Sequence, residues 1–404
     1  MRCSCFGALF SRKRHLIDSE KNLEGFSSEN NLSLFSYIEL KSATDNFHPS
    51  NKIGRGGFGT VYKGILRNGI IVAVKVLSAD SRQGVREFLT EIDIITNIKH
   101  SNLVELIGCC VEGSNRILVY EYLENGSLDR ALLGNCHIFA GFMIKSAQAT
   151  TTVKFFRLSG SNSDAGRLNW YIRSAICMSI ARGLMYLHEE LQPPVVHRDI
   201  KASNILLDRN FLPKIGDFGV AKLFPDDITH ISTRVAGTTG YLAPEYALKG
   251  QLTKKADIYS FGVLVLEIIS GRSNSKSWSE RGIPLLEWTW TLLEEERLTE
   301  LVDAALKDYP EDQVIRYIKV ALFCTQAAAG RRPSMSQVVE MLSRPVLINN
   351  QEITRPGYME DSGKSSRGTR ATNSTFSRSK DSTSGDTTTP FSLTHDTFTE
   401  MSPR

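Results

Sequence analysis

Residues 52–77 set the terms for any fold this chain can adopt. The run "KIGRGGFGTVYKGIL" alternates in the strand manner, a turn follows at Arg67-Asn68-Gly69, and "IIVAVKVL" is rich in β-branched residues. This pattern predicts antiparallel strands. The first run contains Gly54-Arg55-Gly56-Gly57-Phe58-Gly59-Thr60-Val61, which fits G-x-G-x-x-G-x-V. In a dinucleotide-binding unit the last glycine would open a helix; here the strand-like "TVYKG" follows, so the glycines bend a hairpin instead. A hairpin tip without Cβ atoms is either a plain tight turn or a cover that lays backbone N–H groups over phosphates.

From Val85 to Ile98 the period changes to 3.6, with Val85, Phe88, Leu89, Ile92 and Ile95 on one stripe, which predicts a helix packed on the sheet. "NLVELIGCCVEG" and "RILVYEYL" supply two further strands, and beyond Gly126 the long periodic segments, such as "SAICMSIARGLMYLHEEL" and "DIYSFGVLVLEIISG", are mostly helical. The expected fold class is therefore α+β: a small antiparallel sheet lobe with one main helix, then a larger, mainly helical lobe.

Composition bounds the folded part of this 404-residue chain, shifting sharply near residues 36 and 350. The end, "DSGKSSRGTRATNSTFSRSKDSTSGDTTTP", is nearly free of large aliphatics and cannot bury enough apolar surface to offset chain entropy, so it is expected to be disordered and open to phosphorylation. A net charge of +4, without a Lys/Arg stripe carrying interleaved aromatics, argues against a nucleic-acid partner. Seven cysteines without C-x-x-C spacing, several inside apolar runs, fit buried thiols in a reducing compartment. The most apolar run, "FGVLVLEIIS", is well short of the roughly 18 residues that a membrane span requires.

Three stretches carry chemistry. Lys75 ends the apolar strand Val72-Ala73-Val74. It is either a solvated strand lysine or the partner of Glu91, whose place on the packed helix face is costly unless paired. An ion pair explains both residues and leaves the lysine able to hold nucleotide phosphates. In "VVHRDIKASNILLD", β-branched residues flank a polar centre, as in two short strands around a loop. Asp199 and Asn204 there are either ordinary turn residues or, with Asp217 of "KIGDFG", a catalytic set. In the second reading Asp217 and Asn204 bind Mg²⁺ through oxygen while Asp199 accepts a proton from an attacking hydroxyl.

Glycine loop, strand lysine, helix glutamate, H-R-D-x-K-x-x-N, D-F-G and A-P-E (Ala243 to Glu245) stand in the order that resembles the full protein-kinase set, over about residues 35 to 345. The lead-in "FSYIELKSATDNF" and "KIGRGGFGTVYKG" resemble plant receptor-like kinases of the Pelle/IRAK group. With neither an ectodomain nor a membrane span in view, the chain is similar to a receptor-like cytoplasmic kinase, resembling the cold-responsive protein kinase subgroup.

The resemblance implies a bilobal kinase fold and an ATP-dependent serine/threonine protein kinase using Mg²⁺, with Mn²⁺ as a substitute, on protein substrates. It implies that Ile53, Gly54, Gly56, Gly59 and Val61 cover the nucleotide, and that Ala73 and Leu206 sandwich adenine with Val61. Tyr120 falls at the gatekeeper position, and Glu121 to Leu123 form the adenine-reading hinge. Lys201 would meet the transferred phosphoryl group, and Thr238 would hydrogen-bond the catalytic aspartate and lysine; both favour serine/threonine specificity. Glu245 would pair with Arg332, and Asp257 would support the catalytic loop from a buried helix. The implied organisation is a flexible basic, cysteine-bearing segment (1–35), a lead-in (36–52), a kinase domain (53–345) with N-lobe 53–119, hinge 120–124 and C-lobe 125–345, and a disordered Ser/Thr-rich tail (346–404).

Arg198, beside Asp199, is a cation expected to lack a matched partner until a phosphate arrives. Thr229, Ser232 and Thr233 lie between D-F-G and A-P-E as phosphate acceptors, Thr233 first, for an upstream receptor kinase. Residues 135–160 interrupt what should be a short polar loop; they are either a natural surface insertion or translated intron sequence, and excision would join Gly134 to Ser161. At the N-terminus Arg2 excludes ordinary myristoylation. Cys3 and Cys5, beside Arg12, Lys13 and Arg14, are either S-acylation sites holding a cytoplasmic chain to the inner face of the plasma membrane, or part of a frayed cytosolic end. The competing functional readings are a nucleotide-binding pseudokinase or scaffold, and a splice variant inactivated by the insertion.

Overall fold

A computed structural model of the chain describes residues 32–56, 59–77, 82–96, 98–133, 168–225, 228–274, 283–344 and 348–357, all within one compact unit. Cys3 and Cys5, the insertion 135–160 and the tail beyond 357 lie outside the described residues.

The first lobe is a six-stranded sheet in the order β1-β5-β6-β4-β3-β2. Its strands are β1 (Ser33–Leu34), β2 (Lys52–Gly56), β3 (Gly59–Ile65), β4 (Ile71–Leu77), β5 (Leu106–Glu112) and β6 (Asn115–Glu121). All neighbours are antiparallel except β1, which runs parallel to β5. The alternation of "VAVK" does what strand geometry requires. Val72 and Val74 point into a core with Leu40, Leu66, Cys110, Ile117 and Val119, whereas Ala73 and Lys75 face the other side, where Lys75 stands opposite Val61 and Leu118, and Ala73 opposite Tyr120.

That first core is closed by a segment preceding the glycine hairpin. Helix α1 (Tyr37–Ala43) starts at Ser36, whose hydroxyl accepts from Glu39 N at 3.2 Å, and it buries Leu40 completely. Burying such a leucine is worth about 1.5–3 kcal/mol. After the helix, Asp45, Asn46 and Phe47 all have positive φ (52°, 61° and 53°). Thr44 holds this uncommon left-handed run: its hydroxyl accepts from Phe47 N at 3.2 Å and donates to Leu40 O at 2.8 Å. The Phe47 ring is thereby set between Tyr37 and Tyr62, with centroids at 5.8 and 5.5 Å. Gly108 admits β1, because a Cβ there would stand 2.1 Å from Ser33 O.

Helix α2 (Arg82–Ile95) covers the other sheet face. Its buried stripe runs through Gly84, Glu87, Phe88, Glu91, Ile92 and Ile95, and Val85 is exposed. The stripe expected from hydrophobicity alone included Val85; turning Glu87 and Glu91 inward, four residues apart, puts Gly84 inside and rotates its neighbour out. Ile98 is buried beyond the helix end rather than within it.

In the second lobe α3 (Leu128–Leu133) is followed, after the insertion, by α4 (Trp170–Met185). Short strands β7 (Val195–Val196), β8 (Ile205–Leu207), β9 (Pro213–Ile215), β10 (Lys222–Leu223) and β11 (Ile231–Ser232) carry the polar loops. Then come α5 (Pro244–Lys249), β12 (Gln251–Leu252), α6 (Lys254–Ser270), α7 (Leu285–Glu294), α8 (Glu311–Cys324) and α9 (Met335–Ser343). Helix α6 is the axis: it is capped by Thr253 and by left-handed Gly271, and every residue from Ala256 to Ser270 is buried. Helices α4 and α8 pack on it and α9 packs on α4. This is the bilobal α+β protein-kinase fold. Cys109, Cys110, Cys177 and Cys324 are buried free thiols.

Candidate active site

Lys75 joins three elements. Its Nζ donates to Glu91 Oε2 at 2.9 Å from β4 to α2, and to Asp217 Oδ1 at 2.8 Å, in the loop after β9. Burial alone would lower the lysine, but the Glu91 and Asp217 carboxylates outweigh it and hold the ammonium above its ordinary value. Burial would likewise raise Asp217, yet the Lys75 charge and hydrogen bond keep it below the usual carboxylate range. Asp217 sits at φ 66°, an uncommon conformation for a non-glycine residue, and the neighbouring Phe218 ring packs edge-on against His197 at 4.8 Å.

The loop between β7 and β8 gathers a second set. Thr238 Oγ1 donates to Asp199 Oδ1 at 2.7 Å and accepts from Lys201 Nζ at 2.8 Å. Lys201 Nζ is also 2.8 Å from Asp199 Oδ2. Asn204 Nδ2 donates to Asp199 O at 2.9 Å and to Oδ2 at 3.0 Å, which leaves the Asn204 carboxamide oxygen as its metal-capable atom. An ionised carboxylate has about four acceptor sites, so Asp199 keeps capacity for a further hydroxyl.

The loop itself hangs from α6. Asp257 accepts from His197 N (2.7 Å), Arg198 N (2.8 Å) and His188 Nε2 (2.9 Å). Burial would raise this carboxyl; the His188 hydrogen bond and charge, followed by His197, hold it below its ordinary value. Above the loop, Ile53, Gly54, Val61, Ala73 and Leu206 are half-buried, Tyr120 and Leu123 are buried, and a Cβ on Gly56 would meet nothing within 4 Å. Gly59 opens β3 opposite Gly56. Gly57 and Phe58, at the hairpin tip, lie outside the described residues. Burial, then the nearby Glu91 carboxylate, push the Tyr120 hydroxyl well above the ordinary phenol value.

A profile of the family described as protein tyrosine and serine/threonine kinase matches residues 47–342. The chain belongs to this protein kinase family. The kinase is 50% identical over 333 residues to cold-responsive protein kinase 1 of Arabidopsis thaliana, covering 82% of this chain and 79% of that protein. Two Arabidopsis thaliana proteins named as probable LRR receptor-like serine/threonine-protein kinases are 51% and 50% identical over 329 and 328 residues. Each match takes in 81% of this kinase but only 29% of the receptor-like protein. Its activity is that of an ATP-dependent serine/threonine protein kinase, and the pseudokinase and inactive-variant readings are not favoured. Kinases of this family generally use ATP and Mg²⁺ and act on proteins.

The residues of this kinase fit those groups. Among the described residues no cluster of three or more His, Cys, Asp or Glu side chains stands ready for a metal. The Asp217 carboxylate and the Asn204 carboxamide oxygen are the hard oxygen donors that Mg²⁺ prefers, so these two residues would hold it.

Arg198 differs from its expectation. It has no carboxylate partner among the described residues, but its guanidinium is well engaged by neutral acceptors: Tyr246 Oη at 2.6 and 3.0 Å, Val220 O at 2.9 Å and Arg234 O at 2.8 Å. Its charge is unmatched while its hydrogen bonds are satisfied. Thr229 and Ser232 are exposed; Thr233 is half-buried and tied through its amide to Gly250 O at 3.1 Å. Arg332 grips Glu245 with two bonds of 2.7 and 2.8 Å. Sequence reasoning missed Tyr246, whose hydroxyl also accepts from Ala236 N at 2.9 Å, and Lys214, which clamps the hinge through Glu121 at 2.7 Å. Neither carried a local signal: each meets its partner across the fold. Among the described residues no helix is long and apolar enough to cross a membrane.

Proposed function

We propose that this kinase transfers the γ-phosphoryl group of ATP to serine and threonine hydroxyls through the two side-chain sets described above. Asp199 orients the substrate hydroxyl and accepts its proton, while Lys201 faces the phosphoryl group as it moves. Thr238 holds both residues in register. Lys75, fixed by Glu91, binds nucleotide phosphate beneath the backbone of Gly54, Gly56 and Gly59. Ile53, Val61, Ala73 and Leu206 enclose adenine, Tyr120 lines its inner end, and the backbone from Glu121 to Leu123 reads its edge. Asp217 and Asn204 would hold Mg²⁺, or Mn²⁺ in its place, which neutralises charge developing on the phosphates. The rest is positioning and electrostatics supplied by the chain.

What carries this reading is the convergence of Thr238, Lys201 and Asn204 on Asp199 within 3.0 Å. Transfer of radiolabelled phosphate to a protein substrate tests it, using the full chain, Asp199→Asn, and a chain lacking 135–160. The full chain is expected to be active and Asp199→Asn to lose about 10²- to 10⁴-fold. An Asp199→Asn variant as active as the parent would remove Asp199 as the base. If only the shortened chain is active, the insertion is what blocks turnover, and transcript sequencing across 134–161 decides whether it is intron.

Control is proposed to act through Arg198. A phosphate on Thr233, or on Ser232 or Thr229, added by an upstream receptor kinase, would bring the anion that its neutral partners lack and order the segment. Equal activity of a Ser232→Ala, Thr233→Ala variant would end this idea. The resemblance to receptor-like kinases also supports a place at the inner face of the plasma membrane, held through acylated Cys3 and Cys5. Unchanged membrane association of a Cys3→Ser, Cys5→Ser variant in fractionation would overturn that anchor.

A further inference from the structure

The family profile stops at residue 342, but the described fold does not. Residues 348–357 return to the second lobe. Ile353 joins its main core, and Pro356 bridges to Gln326 in the turn after α8. Gly357 N donates to Thr325 O at 3.2 Å, and Ala327 N donates to Arg355 O at 3.4 Å.

The place of attachment is what gives this segment meaning. Thr354 donates twice to one buried atom, Gln326 Oε1, through its amide at 3.1 Å and its hydroxyl at 2.8 Å. Gln326 in turn offers its backbone oxygen to Arg332 Nε at 2.8 Å, and Ala327 O accepts from the same guanidinium at 3.2 Å. Arg332 also lies over the Tyr259 ring at 5.0 Å, and Tyr259 Oη donates to Gly357 O. On its far side Arg332 makes the paired bonds to Glu245, in the first turn of α5. Gly357 meets that helix directly: a Cβ there would come within 2.7 Å of Pro244 Cγ and 2.9 Å of Ala327 Cα. The segment thus secures several of the groups that aim Arg332 at Glu245, and touches the residue before Glu245 itself.

We propose that residues 348–357 are a positioning strap for the substrate-facing segment of the kinase, working through Thr354 and Gly357. Fixing Arg332 and Pro244 fixes the start of α5, and through it the chain running back to Thr238, whose hydroxyl bonds to Asp199. The strap bonds to Thr325, Gln326, Ala327 and Tyr259, all in the second lobe, so it governs how a protein substrate is presented and leaves the nucleotide-binding strands β3 and β4 untouched. The inference rests on the proposed role of Asp199 in orienting the substrate hydroxyl, with Thr238 bonded to it.

The test uses the full chain, casein as phosphate acceptor, and the variants Thr354→Val, Thr354→Ser and Gly357→Ala. Loss of one buried hydrogen bond should raise KM for casein about 3- to 10-fold. KM for ATP should stay within about twofold of the parent in Thr354→Val and Gly357→Ala, and Thr354→Ser, which keeps the hydroxyl, should recover the parental values. Casein KM unchanged in both Thr354→Val and Gly357→Ala overturns the strap. So does a parallel rise of both KM values with a lowered melting temperature, which would mark a merely structural segment. Inactivity of both the parent chain and the chain lacking 135–160 would instead count against the functional reading itself; if only the shortened chain is active, the same variants are compared in it.

Discussion

The Thr238 hydroxyl donates to Asp199 at 2.7 Å while accepting from Lys201 at 2.8 Å, so a single side chain from the segment before α5 sets the spacing of the two groups proposed to flank the transferred phosphoryl group. Hydrogen bonds to charged groups are worth about 1.5–3 kcal/mol. Thr238→Ala should therefore lower kcat about 10- to 100-fold with KM for ATP little changed, and Thr238→Ser should retain most of the rate. Steady-state phosphoryl transfer at saturating ATP measures this.

Lys75 and Glu91 separate activity from stability. Lys75→Met leaves the Glu91 carboxylate, 1% exposed, without its cation, and breaking such a buried pair costs about 3–5 kcal/mol. Adding Glu91→Leu should recover much of that stability without restoring turnover. Denaturant midpoints of the single and double variants, compared with their kinase rates, check both halves.

Gly108→Ala probes the strand that precedes the glycine hairpin. The added Cβ would stand 2.1 Å from Ser33 O and 2.5 Å from the Phe35 ring, so β1 must move. The expected loss is about 1–3 kcal/mol, as for other overpacked sites. Hydrogen exchange should show it locally, because the Phe35 amide now bonded to Cys109 O at 2.9 Å would lose protection.

Glu267 introduces a pH dependence. Burial pushes its carboxyl up to about 7, against hydrogen bonds from Tyr241 Oη and Asn274 N, with the Asp129 charge adding to the rise. Since the folded value lies above the ordinary 4.5, its contribution to stability is fully present below about pH 4.5 and is lost as pH climbs through about 7. Glu267→Gln removes that loss. Relative to the parent, the variant should gain stability on the order of 3 kcal/mol between pH 4.5 and pH 8, read from urea midpoints.

Much of this was legible in the sequence because the physics is local. Alternation in "VAVK" separates the faces of β4, and the cost of burying Glu91 calls for a cation, which the structure places 2.9 Å away on Lys75. What stayed hidden depends on groups without periodicity or charge. Arg198 is met by a phenol 48 positions away and by two carbonyls, and neutral acceptors leave no mark on composition. Val85 was misplaced because hydrophobicity assigns a stripe by apolar residues, whereas the helix is oriented by its two inward glutamates. Strand β1 and the 348–357 segment are too short for any pattern to register; β1 is admitted by a single glycine, and 348–357 is held by Thr354, Ile353 and a few backbone bonds.

The two residues of β1 also have a bearing on association between molecules. Without them β5 would be the outermost strand of the sheet, offering unpaired N–H and C=O groups to any passing chain, the usual template for strand-to-strand aggregation. A fragment cut at residue 47, where the family profile begins, would uncover that edge and remove Leu40 from the core beneath. Exchanges between this protein and its relatives should therefore carry residues 32–46 along with the catalytic lobes, or the hybrid will be sticky before it is inactive.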